Sequence, residues 1–394
     1  MTNTGYGRDK VSIRQAKQIK KRVSAVLLGA AVFILAQCAG QPSQKIYINR
    51  GEVLSRPLHV EGNKIYNDLG EEVRLTGVNI CSLEWSAAGD NVPASAYEVF
   101  TNWNCNIVRV PLSQDRWLGK LANQNDSGAA YRQIVDEVVA LAASFGKYVE
   151  LDLHWSNAGE WRYYIGQHYM PDENSLEFWL DMAKTYANHP AVVFNIYNEP
   201  HSISWEIWRN GGTITETVNA GKPNQKTVTY DTPGHQKFVE EIRKTGANNM
   251  ITVGGLGYAF DLKGIAKDYS PQSYALVDTP EGNGIVYETH IYPDKLDYIR
   301  SVACIFDEYP VLVGEIGIDT EGAYGSEKRP TWLAGMLNWI DENNLPWIAW
   351  SFHTGAKPCL ITDWTYRPTQ HFGVIVKEKL LSYPDTNAHL RKPR

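Results

Sequence analysis

The sequence predicts an α/β protein, a (β/α)8 barrel preceded by a β-hairpin. Two observations carry this reading. Eight apolar runs of strand length alternate with amphipathic stretches of helix length, and several of the runs close on polar or charged residues. Near-continuous hydrophobicity within each run is what a parallel sheet covered on both faces requires. A chain of 394 residues, 43% hydrophobic, is long enough for one such barrel with a full core.

In chain order, residues 1–22 hold seven Lys/Arg and one acid, and the apolar Val23–Ala36, VSAVLLGAAVFILA, follows. That layout suits export and is short for a membrane span. Residues 1–38 are therefore expected to be a signal peptide or a membrane or lipid anchor. Cys38 would accept the lipid, although Gln37 departs from the small residue usual before it. Residues 39–57 read as a polar tether and 58–394 as one catalytic domain, in a protein secreted or held in the cell envelope.

Leu58 to Thr76 reads as the hairpin, with Glu61-Gly62-Asn63 and Asp68-Leu69-Gly70 at its turns. Its last arm runs into the first barrel strand, Val73–Ile80. The other strands are expected at Ile107–Leu112, Tyr148–Trp155, Val192–Glu199, Met250–Leu256, Ile285–Tyr292, Val311–Gly317 and Trp347–Phe352. Helices are expected at Ala130–Phe145, Leu176–Ala187, Pro233–Gly246, Lys295–Glu308 and Thr331–Glu342. His201 to Asp231, with Trp205 and Trp208, is a long insertion after the fourth strand and is expected to wall a cleft.

The strand ends carry the chemistry. VVFNIYNEP ends on Asn198, Glu199 and Pro200; VLVGEIG carries Glu315. Two glutamates at the mouths of two buried strands are what glycosidic bond hydrolysis needs. The second strand adds Arg109, the third His154 and Trp155, the sixth His290 and Tyr292, and the eighth Trp350. Plainer explanations stand beside each. One buried glutamate can be a structural partner of an arginine, and a lone histidine can be a satisfied core residue. Asp152 is placed to pair with Arg109, and Glu288 reads as structural. The sequence lacks HxH and HExxH spacing, so no metal is expected.

Taken together, NIVRVP, LDLHW, IYNEP, THIYP, VGEIG and IAWSF, in that order on those strands, resemble glycoside hydrolase family 5, the cellulase family. The resemblance implies a TIM barrel and a retaining mechanism without cofactor. It implies that Glu199 is the general acid/base and Glu315 the nucleophile. It implies that Asn198 holds the sugar 2-hydroxyl and that Arg109 and Tyr292 contact the nucleophile. His154 and His290 would line the site, and Trp350 would lie under the sugar. The expected substrate is a neutral β-1,4-linked polysaccharide, cellulose or β-glucan, cleaved internally. β-Mannan and other β-glycans remain alternatives, as does a non-catalytic glycan-binding barrel.

Outside its basic start the chain is more acidic than its net charge of −6, which argues against nucleic acid and polyanionic partners. The expected state is a monomer, with membrane attachment only through the N-terminal segment. The 13 Trp and 22 Tyr suggest sugar-stacking surfaces as well as core. Trp85, Trp155, Trp161, Trp205, Trp208 and Trp364 fall near strand ends, each as much a packing as a stacking candidate. The first and last strands of a closed barrel are neighbours, so a Cys81–Cys359 disulfide is expected, against the alternative of four thiols. Cys105 and Cys304 are expected as buried thiols.

Overall fold

The computed structural model describes residues 52–318 and 329–390. The expected export segment, Cys38 and most of the tether lie outside them. Within the expected tether, Leu54 N donates to Ala143 O at 2.8 Å and Ser55 Oγ to Lys147 O at 2.6 Å. The chain is thus docked on the barrel before Pro57.

Strands β1 (Leu58–Glu61) and β2 (Lys64–Asn67) form the antiparallel hairpin. The barrel follows with β3 (Thr76–Asn79), β4 (Ile107–Ser113), β5 (Tyr148–Trp155) and β6 (Val192–Asn195). The insertion adds β7 (Gly212–Val218) and β8 (Lys226–Thr232), and β9 (Ile251–Gly254), β10 (Ile285–Ile291), β11 (Val311–Ile316) and β12 (Trp347–Ala349) complete the barrel. The eight barrel strands are parallel, and β12 pairs back onto β3. At Gly77 a Cβ would lie 1.8 Å from Ile107 O, so only glycine lets β3 and β4 approach this closely. Leu58 and Ile65 of the hairpin pack among Leu75, Ile107, Tyr148, Val193, Met250, Val286, Leu312 and Ile348. These barrel residues open their strands, so the hairpin plugs the end opposite the strand C-termini.

Helices α1 (Val92–Asn102), α2 (Gln114–Trp117), α3 (Ala129–Phe145), α4 (Asn174–Thr185), α5 (Trp205–Asn210) and α6 (His235–Lys244) follow in chain order. They are joined by α7 (Tyr298–Ser301), α8 (Arg329–Glu342) and α9 (Gly373–Leu381). Helix α3 shows how sequence sets a boundary: Gly146, at φ 67, takes the left-handed turn that returns the chain to β5.

Four expectations change. The fourth and eighth strands stop at Asn195 and Ala349, so Asn198, Glu199 and Trp350 sit on the departing backbone. The helix expected over Lys295–Glu308 is broken into α7 and a three-residue 3-10 turn, Ala303–Ile305, because the Ser301 carbonyl accepts from Leu262 N at 2.7 Å. Cys304 lies in that turn and is exposed, contrary to the expected burial. No disulfide joins Cys81 to Cys359, and the Cys81 thiol is fully buried. Cys105 is buried as expected.

The insertion folds as α5 and the β7–β8 hairpin, which leans on the loop after β5. Buried His168 offers Nδ1 to the Glu216 carboxylate and Nε2 to the Tyr164 carbonyl, and Glu216 Oε2 also accepts from Tyr169 N at 3.0 Å. Neither ring partner can donate, so both ring nitrogens must carry protons. Burial alone would lower His168, but the Glu216 hydrogen bond and charge raise it above the ordinary value. The clamp therefore contributes fully below about pH 6.5, the unfolded histidine value, and fades as pH rises through the folded value.

Two outcomes follow from this fold. Amide exchange in β7 and β8, corrected for intrinsic rate, should lose protection as pH rises above neutrality, and Glu216→Gln should show that loss already at pH 6. Protection that is flat with pH in both proteins would contradict the clamp. In thiol labelling under native conditions Cys304 should react well before Cys81 and Cys105, and peptide mapping should find no Cys81–Cys359 linkage.

Candidate active site

Arg109 of β4 points along the barrel interior with no exposed surface. Its Nη1 donates to Asn79 Oδ1 of β3 at 2.9 Å and to Glu315 Oε1 of β11 at 3.2 Å. Its Nη2 donates to Asn198 Oδ1 at 2.8 Å and lies 3.1 Å from Asp152 Oδ2 of β5. Its Nε is 3.4 Å from Glu288 Oε1 of β10. A buried guanidinium is tolerated only where carboxylates and amides replace its water, and here residues of four strands and one departing backbone converge to do so.

Glu315 accepts from Arg109 at one oxygen and from Tyr292 Oη at the other, at 2.6 Å. Glu199 Oε1 lies 2.9 Å from His290 Nδ1, whose Nε2 is 2.8 Å from Glu288 Oε1. An oxygen of Glu199, an oxygen of Glu315 and a ring nitrogen of His290 all lie within 4.8 Å of one another. Geometrically this trio could take a cation. Its atoms are already engaged with each other and with Arg109 and Tyr292, and a protonated His290 offers no lone pair. Gly314 makes the room: a Cβ there would lie 1.9 Å from Glu288 Oε1.

His154 donates Nδ1 to Asp152 Oδ2 at 2.7 Å, and its ring lies parallel to Trp350, 10° apart in plane and 5.4 Å between centroids. The Asn198 amide nitrogen reaches Gln167 Oε1 at 2.9 Å and His154 Nε2 at 3.3 Å. The structure thus brings Arg109, His154, Asn198, Glu199, His290, Tyr292, Glu315 and Trp350 to one mouth of the barrel. Sequence reasoning missed Asn79, which shares Arg109, and Gln167, which holds Asn198 and the Glu199 carbonyl at 3.0 Å. Asn79 ends a barrel strand and was findable on that ground; Gln167 sits in an irregular loop without a pattern. Of the tryptophans, Trp205 and Trp208 are packing: both are buried, and Trp208 Nε1 donates to Gly254 O at 2.9 Å. Trp85, His353 and Trp364 form an edge-to-face row past β3 and β12, with centroids 5.5 and 5.1 Å apart.

The protons are distributed differently from expectation. Burial opposes a charge on His290, but Glu315, Glu199 and Glu288 raise it to about 10. Burial pushes the Glu199 carboxyl up, yet the His290 hydrogen bond draws it below the usual range. Glu315 is pushed up by burial and by the Glu199 charge, against His290 and Arg109. The resting site is therefore an imidazolium between Glu199 and Glu288, rather than a protonated Glu199. The two descriptions differ by one proton moved across the 2.9 Å His290–Glu199 contact, with the total charge unchanged. Once that proton is on Glu199, Glu315 loses a negative neighbour and the His290 cation together, and its ionised form rests on the donors Arg109 and Tyr292.

Residues 66–355 match the family model described as cellulase, glycosyl hydrolase family 5. An endoglucanase of Paenibacillus polymyxa is 25% identical over 364 residues, covering 79% of this chain and 85% of that protein. Endoglucanase MaCel5A of Microbulbifer sp. strain ALW1 is 24% identical over 339 residues, covering 82% of this chain and 58% of its own length. Among solved structures, the β-glucanase SdGluc5_26A from Saccharophagus degradans in complex with cellotetraose has a TM-score of 0.62 at 19% identity, over 88% of this chain and 98% of that one. The endocellulase of the archaeon Pyrococcus horikoshii has a TM-score of 0.60 at 18% identity, over 84% and 100%. At such identities the structural likeness shows the shared barrel.

The proton arrangement makes a checkable claim. Glu288→Gln keeps an acceptor for His290 but removes the charge that holds its proton. The alkaline limb of kcat/KM should then move to lower pH, and Gly314→Ala, by displacing Glu288, should act in the same direction. An unmoved limb in a folded Glu288→Gln protein would show that Glu288 does not set the proton affinity of the site.

Proposed function

The chain belongs to glycosyl hydrolase family 5, the cellulase family, and we propose that it is a retaining endo-β-1,4-glucanase acting on cellulose or another neutral β-glucan. The observation that carries this reading is the separation of the two glutamates. Retaining enzymes hold their carboxyl groups about 5–5.5 Å apart, whereas inverting enzymes leave about 6.5–9.5 Å for a water. One oxygen of Glu199 and one of Glu315 lie within 4.8 Å of each other, which supports the shorter, retaining spacing.

In this mechanism Glu315 attacks the anomeric carbon as the glycosidic C–O bond breaks. Glu199, holding the proton it shares with His290, gives it to the departing oxygen. A glycosyl ester of Glu315 results. Esterification removes the charge of Glu315, so Glu199 can take a proton from water, which attacks the same carbon and returns Glu315 as a carboxylate. Two displacements retain the β configuration. Arg109 and Tyr292 stabilise the Glu315 carboxylate before and after each cycle. Asn198, held by Arg109 and Gln167, faces the sugar 2-hydroxyl, and Trp350 stacks on a sugar face.

The domain assignment in this reading is one catalytic barrel behind an exported N-terminus, acting as a monomer. Its support is the basic and apolar start of the chain. Among the described residues no helix is long and apolar enough to cross a membrane.

Incubation with hydroxyethylcellulose and mixed-linkage β-glucan should drop viscosity much faster than reducing ends appear, with β-mannan a poorer substrate. Release of monosaccharide alone from chain ends would exclude internal cleavage. Glu315→Ala should lose on the order of 10⁴-fold in kcat and be rescued by azide as an α-glycosyl azide. Glu199→Ala should still turn over aryl glycosides with good leaving groups, and azide should give the β-product. The same anomer from both variants would reverse or void the assignment. Tyr292→Phe should cost roughly 10–100-fold, one hydrogen bond to a charged group.

A further inference from the structure

Strand β6 ends at Asn195, and the acid of the mechanism, Glu199, lies four residues further on. Asn198 N still donates to Leu153 O of β5 at 3.1 Å, but the acid's own segment leans on a loop. Tyr197–His201 runs beside residues 166–170, which follow β5, and the two segments are laced together. Tyr197 Oη accepts from His168 N at 2.9 Å and donates to His168 O at 3.0 Å. His201 N donates to Tyr169 O at 3.1 Å. Between these contacts, Gln167 Nε2 donates to Glu199 O at 3.0 Å, and Gln167 Oε1 accepts from Asn198 Nδ2 at 2.9 Å.

The polar atoms leave one consistent orientation. A peptide carbonyl only accepts, so the end of Gln167 that faces Glu199 O is its amide nitrogen. Its oxygen then faces Asn198 Nδ2, which leaves Asn198 Oδ1 for Arg109 Nη2, at 2.8 Å. One side chain thus orders two consecutive residues, the acid and the amide before it. His201 Nδ1 reaches the same Glu199 carbonyl at 2.8 Å, with its ring stacked on Tyr258 at 4.0 Å between centroids.

The loop in turn is footed on the β7–β8 hairpin. Buried Glu216 of β7 accepts from Tyr169 N at 3.0 Å and from His168 Nδ1. Buried Tyr230 of β8 pairs its hydroxyl with both N and O of Met170, each at 3.3 Å. Both strands of the hairpin therefore grip the three residues that follow Gln167. Burying a carboxylate costs more than burying Ile214 or Val218 on the same face, and what the Glu216 charge fixes is this loop.

We propose that Gln167 is a positioning residue for the catalytic acid, and that the inserted hairpin acts on the chemistry through it. The proposal rests on the reading of Glu199 as the acid of a retaining β-glucanase. The route runs from Glu216 to His168 and Tyr169, along the chain to Gln167, and from Gln167 to the backbone of Glu199. Misplacing a reacting group by about 1 Å costs on the order of 100-fold in rate, so loosening this route is read in turnover.

The test compares two aryl β-cellobiosides, one with a phenyl and one with a 2,4-dinitrophenyl leaving group. Phenolate needs the acid's proton to depart, whereas dinitrophenolate departs without it. At about pH 6, where the His168–Glu216 clamp is intact, Gln167→Ala should lower kcat/KM on the phenyl glycoside about 10–100-fold, and on the dinitrophenyl glycoside about threefold or less. Glu216→Gln, which turns an amide NH2 toward His168 or Tyr169, should show the same selective loss at about 3–10-fold. The double variant should lie close to Gln167→Ala alone. Equal losses on the two glycosides, as a general loosening of the fold or a shift of Asn198 alone would give, overturn the proposal. So does the absence of any loss, or full additivity of the two variants. Should Gln167→Ala not fold, the selectivity of Glu216→Gln decides. Glu199→Gln is the control. Without a selective loss there, the reading of Glu199 as acid falls and the proposal with it. A selective loss there with none in the other variants overturns the positioning role alone.

Discussion

The guanidinium of Arg109 is the contact on which the site depends. It sits without solvent between Glu150, Asp152, Glu288 and Glu315, at 3.7, 3.1, 3.4 and 3.2 Å. Each of those carboxylates comes from a different strand or strand position, so the barrel's closure and the charge balance enforce one another. Removing a buried cation from such a cluster leaves uncompensated anions, at about 3–5 kcal/mol. Burial and the Glu288 charge push Glu150 well above the usual carboxylate range, so the cluster lowers its negative charge by keeping a proton there. Arg109 holds the Glu315 carboxylate from below and Asn198 from the side, which makes one residue responsible for both charge and register.

Above that layer the same logic repeats with histidine. Glu288 contacts Arg109 and also His290, and His290 contacts Glu199. The acid of the mechanism is therefore tied through two side chains to the cation at the barrel's centre. A proton held between Glu199 and His290 is available to a leaving group without a change in the total charge of the pocket. That feature explains how Glu199 can lie below the usual carboxylate range at rest and still serve as an acid.

Much of this was legible because buried strands ending on charged residues are hard to explain otherwise. The runs around Arg109, His154, Glu199, His290 and Glu315 stood out for that reason, and their spacing along the chain matched eight parallel strands. What escaped the sequence depended on geometry between distant segments. The hold of Gln167 on Asn198 comes from a loop 31 residues away with no periodic signal. Cys304 was expected on a helix face, but a carbonyl taken by Leu262 ends that helix first. Proximity of two strand ends suggested a Cys81–Cys359 bridge, yet the Cys81 thiol is buried and unbridged. The hairpin in the insertion was readable in principle, since TITETV alternates with period two, and its buried Ile214, Glu216 and Val218 follow that alternation.

The central claim is that Glu199 and Glu315 act on one anomeric carbon from opposite sides at the short spacing of a retaining pair. The most direct measurement is the anomer of the first product, followed by proton NMR during the first minutes of β-glucan oligosaccharide hydrolysis, before mutarotation. The structure predicts that the β-anomer appears first and the α-anomer grows in only later. An α-anomer at the earliest times would mean inversion, and the close arrangement of the two carboxylates, with oxygens within 4.8 Å, would then not be the one that reacts.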